Sequence, residues 1–416
     1  MDLKKEIKLS DLIPGRRKRD EEAEALEEPK KERKSRFSRK PKAEKEPRRK
    51  AAGRSVGARR KKKLVGLKIG ASQIAAAQVV NNGGAQVVRI AREDLERGVV
   101  VGGELRDPET LAAALRQFFK KHRLPRQSVR LGISNNRIGV RMFEIGGIHD
   151  PKQLANAIRY RAQEVLPIPL EEAVLDYHLL GESSDAEGNV KHRVLLVVAY
   201  RDLIDRYTAA CKKAGIRLAG IDLEAFAILR ALAPAAADSA AESTAPAALV
   251  VVSVGHDRTT FAVSDGKICQ FTRVLEWGGS SLNAGIARAL DLAPSEAEPI
   301  KRSLSLAEPS IPAGLTTEQA ESVREAVLRE LHTFARDLVS SLQFYQSQPG
   351  SLGIGEIVLT GGTAELPGLA AEVAKLIGVP VRVGDPLEHV GVAKRVDREQ
   401  PLGSLAAAIG LGIEAA

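Results

Sequence analysis

The residue types able to do chemistry in this chain gather in three glycine-bearing turns. The first is Gly70-Ala71-Ser72, directly after VGLKI. The second opens VGHDRTT at Gly255 and carries Thr259 and Thr260, and the third is Gly361-Gly362-Thr363 in TGGTAELPG. A hairpin turn of Gly, Ala and Ser can point backbone N–H groups at an anion. Two such hairpins facing each other across a cleft can clamp the phosphates of a nucleotide. Lys68 stands two residues ahead of the first turn, and Gly66 two residues before that. An ammonium at 68 can pair with phosphate as a point charge; the plain alternative is a solvent-facing strand residue in an open cleft. Other reactive side chains offer less. The seven histidines show no HxxxH or HxxE spacing. Cys211 and Cys269 lie far apart without metal-ligand spacing, as expected of buried free thiols. Ser280, Ser281 and Asn283 in WGGSSLN fit helix N-capping better than nucleophilic catalysis. Trp277 reads as a packing anchor.

A repeated unit must position these turns. LVGLKI, IAAAQVV and AQVVRIA read as three consecutive strands joined by GAS and NNGG turns. From Ala248, ALVVVSVG, TTFAVS and KICQFTRVL give the same strand–turn–strand–turn–strand pattern. Helices follow in each half. The first half has Asp107–His122, with Asp107 as N-cap and Pro108 at the first helical position, then Pro151–Val165, Arg201–Gly215 and Glu224–Leu232. The second has Gly279–Leu290, an irregular stretch to about Leu315, then Thr317–Ser347, Pro367–Ile377 and Leu402–Ile413. SVRLGI, IGVRMFEI, LDYHLL, HRVLLVVAY, RLAGIDL, EIVLTGG and VPVRV supply further strands. The repeat argues for two related α/β lobes with a cleft between them. It argues against a Rossmann or P-loop unit, whose first strand runs into a helix, whereas VGLKIG runs into a hairpin.

With these blocks in view, the chain resembles the actin-like ATPase superfamily of actin, the heat-shock chaperone ATPases and FtsA. More narrowly it resembles the PilM family of type IV pilus assembly proteins. The likeness spans roughly Leu64 to Ala416. Besides VGLKIG it is carried by YRAQEVLPIPLEEAVLDYHLL, by LLVVAYRDLIDRYTAACKKAGIRLAGIDLEAFAILRAL and by EIVLTGGTAELPGLAAEVAKLIGVPVRVGDP. It implies a duplicated, ribonuclease H-like two-lobed α/β fold with an inserted α+β subdomain at about 145–223. The lobes are then 64–233 and 248–416, joined by an Ala-rich linker at 234–247. By resemblance Gly70, Ala71 and Ser72 form the first phosphate turn, with Gly66 and Lys68 in the same motif. Gly255, Thr259 and Thr260 belong to the second turn, and Gly361, Gly362 and Thr363 to the adenosine-side loop. Typical members carry Asp where this chain has Lys68 and Ser253. Those acids anchor magnesium and hold the attacking water. An ammonium repels a divalent ion, and a serine is too weak a base to replace a carboxylate. Asp257 is close by but falls on the far side of its turn. The expectation is no catalytic residue, no metal ligand, and either no cofactor or ATP held weakly without magnesium.

The resemblance also implies a partner. In the PilM family the groove beside the inserted subdomain takes a short peptide of the inner-membrane protein PilN, and strand addition with side-chain pockets is a sound way to hold one. The expected role is a cytoplasmic adaptor of type IV pilus or related secretion machinery, peripheral on the inner face of the membrane, that docks a PilN-like subunit and other pilus assembly proteins. The alternatives are an ATP-binding actin-like regulator of pilus assembly and an FtsA-like division filament protein. For the latter, AAAIGLGIEAA offers no basic face for membrane binding.

Charge separates the tail from the rest. Residues 1–63 hold 25 Lys/Arg against 12 Asp/Glu, a balance of +13, and the remainder 38 against 41, a balance of −3, so all the excess positive charge of the net +10 chain sits in the tail. Residues 16–63 carry one aromatic, Phe37, and few large aliphatics, too little apolar surface to offset ordering entropy, so disorder is expected. The tail suits an anionic membrane surface or serves as a solubilising tether; interleaved acids and missing aromatics disfavour nucleic acid. Within it, EIKLSDLIP at 6–14 gathers Ile7, Leu9, Leu12 and Ile13, enough for a linear docking peptide, either onto this chain's own groove or onto another pilus component. No apolar run reaches eighteen residues, and the N-terminus lacks a secretory h-region.

Overall fold

The computed structural model describes residues 62–146, 148, 150–165, 169–184, 190–233, 247–266, 268–308 and 311–414. Residues 1–61, with the 6–14 segment, and linker residues 234–246 lie outside the described residues.

The first meander is β1 (Lys62–Ile69), β2 (Gln73–Asn81) and β3 (Ala85–Asp94), paired antiparallel in turn. A tight hairpin follows, β4 (Val100–Val101) and β5 (Glu104–Leu105), turned by Gly102 and Gly103 at φ 57° and 78°. Those left-handed values favour glycine. Helix α1 (Pro108–Lys121) starts at Asp107, whose carboxylate accepts the N–H groups of Glu109 and Thr110. β6 (Val129–Ile133) runs parallel to β1. The chain then leaves this sheet. β7 (Ile138–Gly146), α2 (Pro151–Val165), β8 (Ala173–Ser184) and β9 (Val190–Tyr200) build a separate three-stranded sheet, order β7-β9-β8. Its own core includes Leu154, Ile158, Ala162, Val194, Leu196 and Val198. Then α3 (Arg201–Lys213), β10 (Leu218–Leu223) and α4 (Glu224–Leu232) follow, and β10 pairs parallel with β6.

The second half repeats the plan with β11 (Ala247–Val254), β12 (Thr259–Ser264) and β13 (Cys269–Leu275). Helices α5 (Gly279–Leu290), α6 (Ala297–Ser303) and α7 (Thr317–Gln346) come next, then β14 (Gly353–Thr360), α8 (Leu369–Ile377), β15 (Val381–Val383), β16 (Gly391–Val392) and α9 (Ala406–Gly412). Sheet order makes the duplication explicit. The large sheet runs β10-β6-β1-β2-β3-β16 and the other β15-β14-β11-β12-β13, the same five-strand arrangement with β16 added at one edge. Thr316 and Gln319 form a capping box at the start of α7. Trp277 stacks on Phe334 of that helix with centroids 4.2 Å apart, which gives the packing anchor its partner. Cys211 and Cys269 are buried free thiols, both pushed up to about 12 by burial.

Three local readings differ from the sequence expectation. The stretch before Leu315 contains α6, whose Pro299 reads as a breaker but sits in the first turn, where proline is tolerated. Ser280 and Ser281 lie inside the first turn of α5, and its N-cap is Gly278 without a side-chain bond. The separate sheet begins at Ile138, while β10, inside the expected 145–223 insertion, belongs to the large sheet.

Helix α9 closes the first sheet through glycines. A Cβ on Gly66 would overlap the Ala408 carbonyl oxygen, and one on Gly410 the carbonyl of Ala227 in α4. Gly66→Ala and Gly410→Ala should each lower unfolding free energy by roughly 1–3 kcal/mol through overpacking. Gly139→Ala, which meets nothing within 4 Å, should be neutral or stabilising; urea melts read all three.

Candidate functional site

The two repeated meanders face each other across a cleft of about 770 Å³. Of the residues expected at a nucleotide site, Lys68, Gly70, Ala71, Ser72, Gly255, Thr260, Gly362 and Thr363 line it. Gly66, Thr259 and Gly361 do not. Gly66 admits α9, as above. The buried Thr259 hydroxyl donates to the Trp277 carbonyl at 2.8 Å. Gly361, at φ 93°, passes so close to Val254 that a side chain would strike its backbone.

The two turns are built alike. Gly70 N–H donates to the Gln73 carbonyl, and Gly255 N–H to the Arg258 carbonyl, both at 2.9 Å. Each bond closes a hairpin around two intervening residues, Ala71-Ser72 and His256-Asp257, which line the cleft. The third motif is tied to the second turn by the Thr363 hydroxyl, which donates to the Gly255 carbonyl at 2.9 Å. Burial, reinforced by nearby Lys301, holds His256 below its ordinary value, so its imidazole is neutral at neutral pH.

Lys68 is not a free solvent-facing residue. Its Nζ lies 3.6 Å from Glu224 Oε2, and the two side chains are 16% and 5% exposed. Glu224 opens α4, where a carboxylate also meets the positive end of the helix dipole. Ser253 is buried on β11 and lines the cleft. Asp257 also lines the cleft, but its carboxylate accepts the Gly102 N–H at 2.7 Å, fastening the β4–β5 hairpin to the second turn. Around that contact Asn135 Nδ2 donates to the Gly102 carbonyl at 2.8 Å, and the Ser134 and Thr260 hydroxyls meet at 2.8 Å. Among the described residues, no three His, Cys, Asp or Glu side chains gather into a metal-binding group.

Sequence reading missed the opposite wall. Glu298 and Lys301, one turn apart on α6, line the cleft with Arg302. Lys301 Nζ donates to Glu298 Oε2 at 2.8 Å and to the Gly279 carbonyl at 3.2 Å, and Asn283 Nδ2 donates to the same carboxylate at 2.6 Å. Burial alone would raise Glu298, but hydrogen bonds from Lys301, Asn283 and Arg302 overcome it and hold the carboxyl at about 2. The available signal was the ExxKR spacing, which places all three on one short helix.

A second concavity of about 90 Å³ lies between the separate sheet and the large one. Ile133, Val174, Val197, Ile221 and Phe226 give it an apolar lining, with Asp176 and Asp222 beside them. Asp222 and Leu223 face this groove and Glu224 the cleft, so three consecutive residues touch both.

A family model described as type IV pilus assembly protein PilM matches residues 66–416. The cell division protein FtsA of Escherichia coli (strain K12) is 25% identical over 372 residues, covering 80% of this chain and 86% of FtsA. FtsA of Bacillus subtilis (strain 168) is 24% identical over 353 residues, covering 74% and 73%. Among solved structures, a PilM–PilN type IV pilus biogenesis complex aligns with TM-score 0.71 at 25% identity, covering 85% of this chain and 98% of that one. The architecture is therefore the duplicated actin-like fold with its inserted subdomain.

In a Lys68→Met, Glu224→Gln double-mutant cycle, the singles should be more destabilising than the double, with a coupling of about 1–3 kcal/mol by urea unfolding. The Glu298 carboxyl is depressed, so its contribution is complete above the ordinary value of 4.5 and is lost as pH falls toward about 2. Wild type should therefore exceed Glu298→Gln in stability near neutral pH, and the gap should narrow across that acid window.

Proposed function

The chain belongs to the PilM family of type IV pilus assembly proteins, and from that premise we propose that it is an adaptor with a nucleotide-shaped cleft that does not run metal-dependent hydrolysis. The observation that carries this reading is the Lys68–Glu224 pair at the first turn. Nucleoside triphosphate hydrolysis needs a divalent ion to neutralise the phosphates and a positioned water. Here the position beside the first turn holds an ammonium, its nearest carboxylate is engaged by it, and the matching position on the second lobe holds the Ser253 hydroxyl. This donor set does not fit a magnesium ion.

The nucleotide itself fits better than the metal. The Gly70–Ser72 and Gly255–Asp257 turns face the cleft where a phosphate chain would lie. Glu298 and Lys301 offer an acceptor and a donor to the vicinal hydroxyls of a ribose. That supports a second reading, in which a bound nucleotide regulates partner affinity through the Asp222-Leu223-Glu224 stretch. Among the described residues no helix is long and apolar enough to cross a membrane. Association with the inner membrane would then come through a partner, with the basic tail adding attraction to anionic lipid.

The partner reading draws on the second concavity. An extended peptide of a PilN-like subunit would lie between the separate sheet and β10, with apolar side chains toward Phe226 and Val174. The resemblance to a PilM–PilN complex supports a PilN-like partner.

Purified protein should release no phosphate from Mg-ATP above buffer, and calorimetric ATP binding should be no tighter with magnesium than with EDTA. Magnesium-dependent release that disappears in Gly70→Val would overturn the proposal. Phe226→Asp should weaken binding of the N-terminal peptide of the cognate PilN-type subunit at least tenfold, while Tyr160→Ala, at an exposed position on α2, should not.

A further inference from the structure

The groove is bounded by two strand edges. β8 ends the three-stranded sheet and β10 ends the large sheet, so neither has an outer neighbour among the described residues. Both edges treat a backbone donor in the same way. Tyr177 N–H on β8 is accepted by Asp176 Oδ1 at 2.9 Å, and Leu223 N–H on β10 by Asp222 Oδ1 at 2.8 Å. A strand N–H bonded to the preceding side chain is one that its own sheet does not use, so both point outward. Edges held this way are protected against chance pairing yet can still accept an added strand. The concavity of about 90 Å³ between them is smaller than the ~150 Å³ that holds a benzene molecule, and so suits one aliphatic side chain at a time.

We propose that residues 6–14 of this same chain, EIKLSDLIP, dock in this groove as an added strand and thereby compete with the partner peptide. The proposal rests on the reading that the groove takes an extended peptide. The segment can present an apolar edge. Ile7, Leu9 and Ile13 share one face of a strand with Asp11 among them, and Lys8, Ser10 and Leu12 lie on the other. Pro14 has no N–H to donate and ends the pairing. The tether reaches. Residues 15–61 give 47 residues of polar linker, with a root-mean-square span of about 40 Å for a flexible chain. β1 lies two strands from β10 in the sheet, roughly 10 Å away. All three strands run parallel with Val65, Val129 and Leu218 in register, so the tether leaves from the end at which β10 begins. Such a linker holds the segment at an effective concentration on the order of 1 mM. A segment that binds with Kd about 0.1 mM as a free peptide would then fill its own groove about nine-tenths of the time, and a competitor would bind about tenfold more weakly.

The test compares the full chain with a full chain carrying Leu9→Asp and Ile13→Asp, changes confined to the tail and far in sequence from the folded core. The probe is a fluorescent synthetic peptide of residues 1–15. It should bind the variant about tenfold more tightly than the wild type, and Phe226→Asp should abolish binding to both. Amide hydrogen exchange along β8 and β10 should be slower in the wild type than in the variant, and unchanged on dilution. Equal probe affinity and equal exchange in the two chains would overturn the proposal. Protection that fades on dilution would also overturn it, because the occupant would then be a second copy. Neither result touches partner docking, which the cognate PilN-type peptide tests separately.

Discussion

An ammonium and a carboxylate, 3.6 Å apart and largely shielded from water, fix the character of this cleft. Lys68 projects from the first strand of the first repeat, and Glu224 from the start of the helix that follows the edge strand β10 of that sheet. Each is costly to bury alone and tolerable only beside the other. Their pairing fills the place next to the phosphate-type turn with a charge-neutral unit. A divalent ion there would have to displace the ammonium, and an anion would have to compete with the carboxylate. On the proposed reading this one contact separates an actin-like scaffold from an actin-like ATPase.

The rest of the architecture delivers that contact and its surroundings. Two sheets that share one five-strand order present matching hairpin turns, each closed by the same glycine-to-carbonyl bond. Thr363 ties the third motif to the second turn, and Asp257 ties the second turn to Gly102 of the first half. Small residues allow close approach where helices cross: Gly66 and Gly410 let α9 lie against β1 and α4. The segment from Asp222 to Glu224 is shared by the groove and the cleft. On the proposed reading, this shared stretch is what would link nucleotide binding to partner docking.

Legibility in the sequence followed the range of the interaction. The paired meanders, the Asp107 cap and the long α7 were readable because alternation, capping and helical period are local. The glycine turns were readable as turns, and eight of the eleven candidate residues do line the cleft. Gly66, Thr259 and Gly361 have glycine or small-residue signatures that serve packing and turn geometry instead, a distinction that only the third dimension supplies. Glu224 was invisible as the partner of Lys68 because 156 positions separate them and nothing local marks a helix-opening glutamate as an ion-pair partner. Glu298 and Lys301 were hidden by Pro299, which makes a short helix look like a break. The β4–β5 hairpin was too short to carry a period at all, yet its two glycines sit where the halves meet.

On the proposed reading, the charge at position 68, with the serine at 253, keeps a divalent ion out of an otherwise nucleotide-shaped cleft. The most direct measurement is isothermal titration of ATP, with magnesium and with EDTA, into the wild type and a Lys68→Asp/Ser253→Asp variant. Magnesium should leave wild-type affinity unchanged and tighten binding to the variant. Magnesium-dependent binding by the wild type, lost or unchanged in the variant, would contradict it.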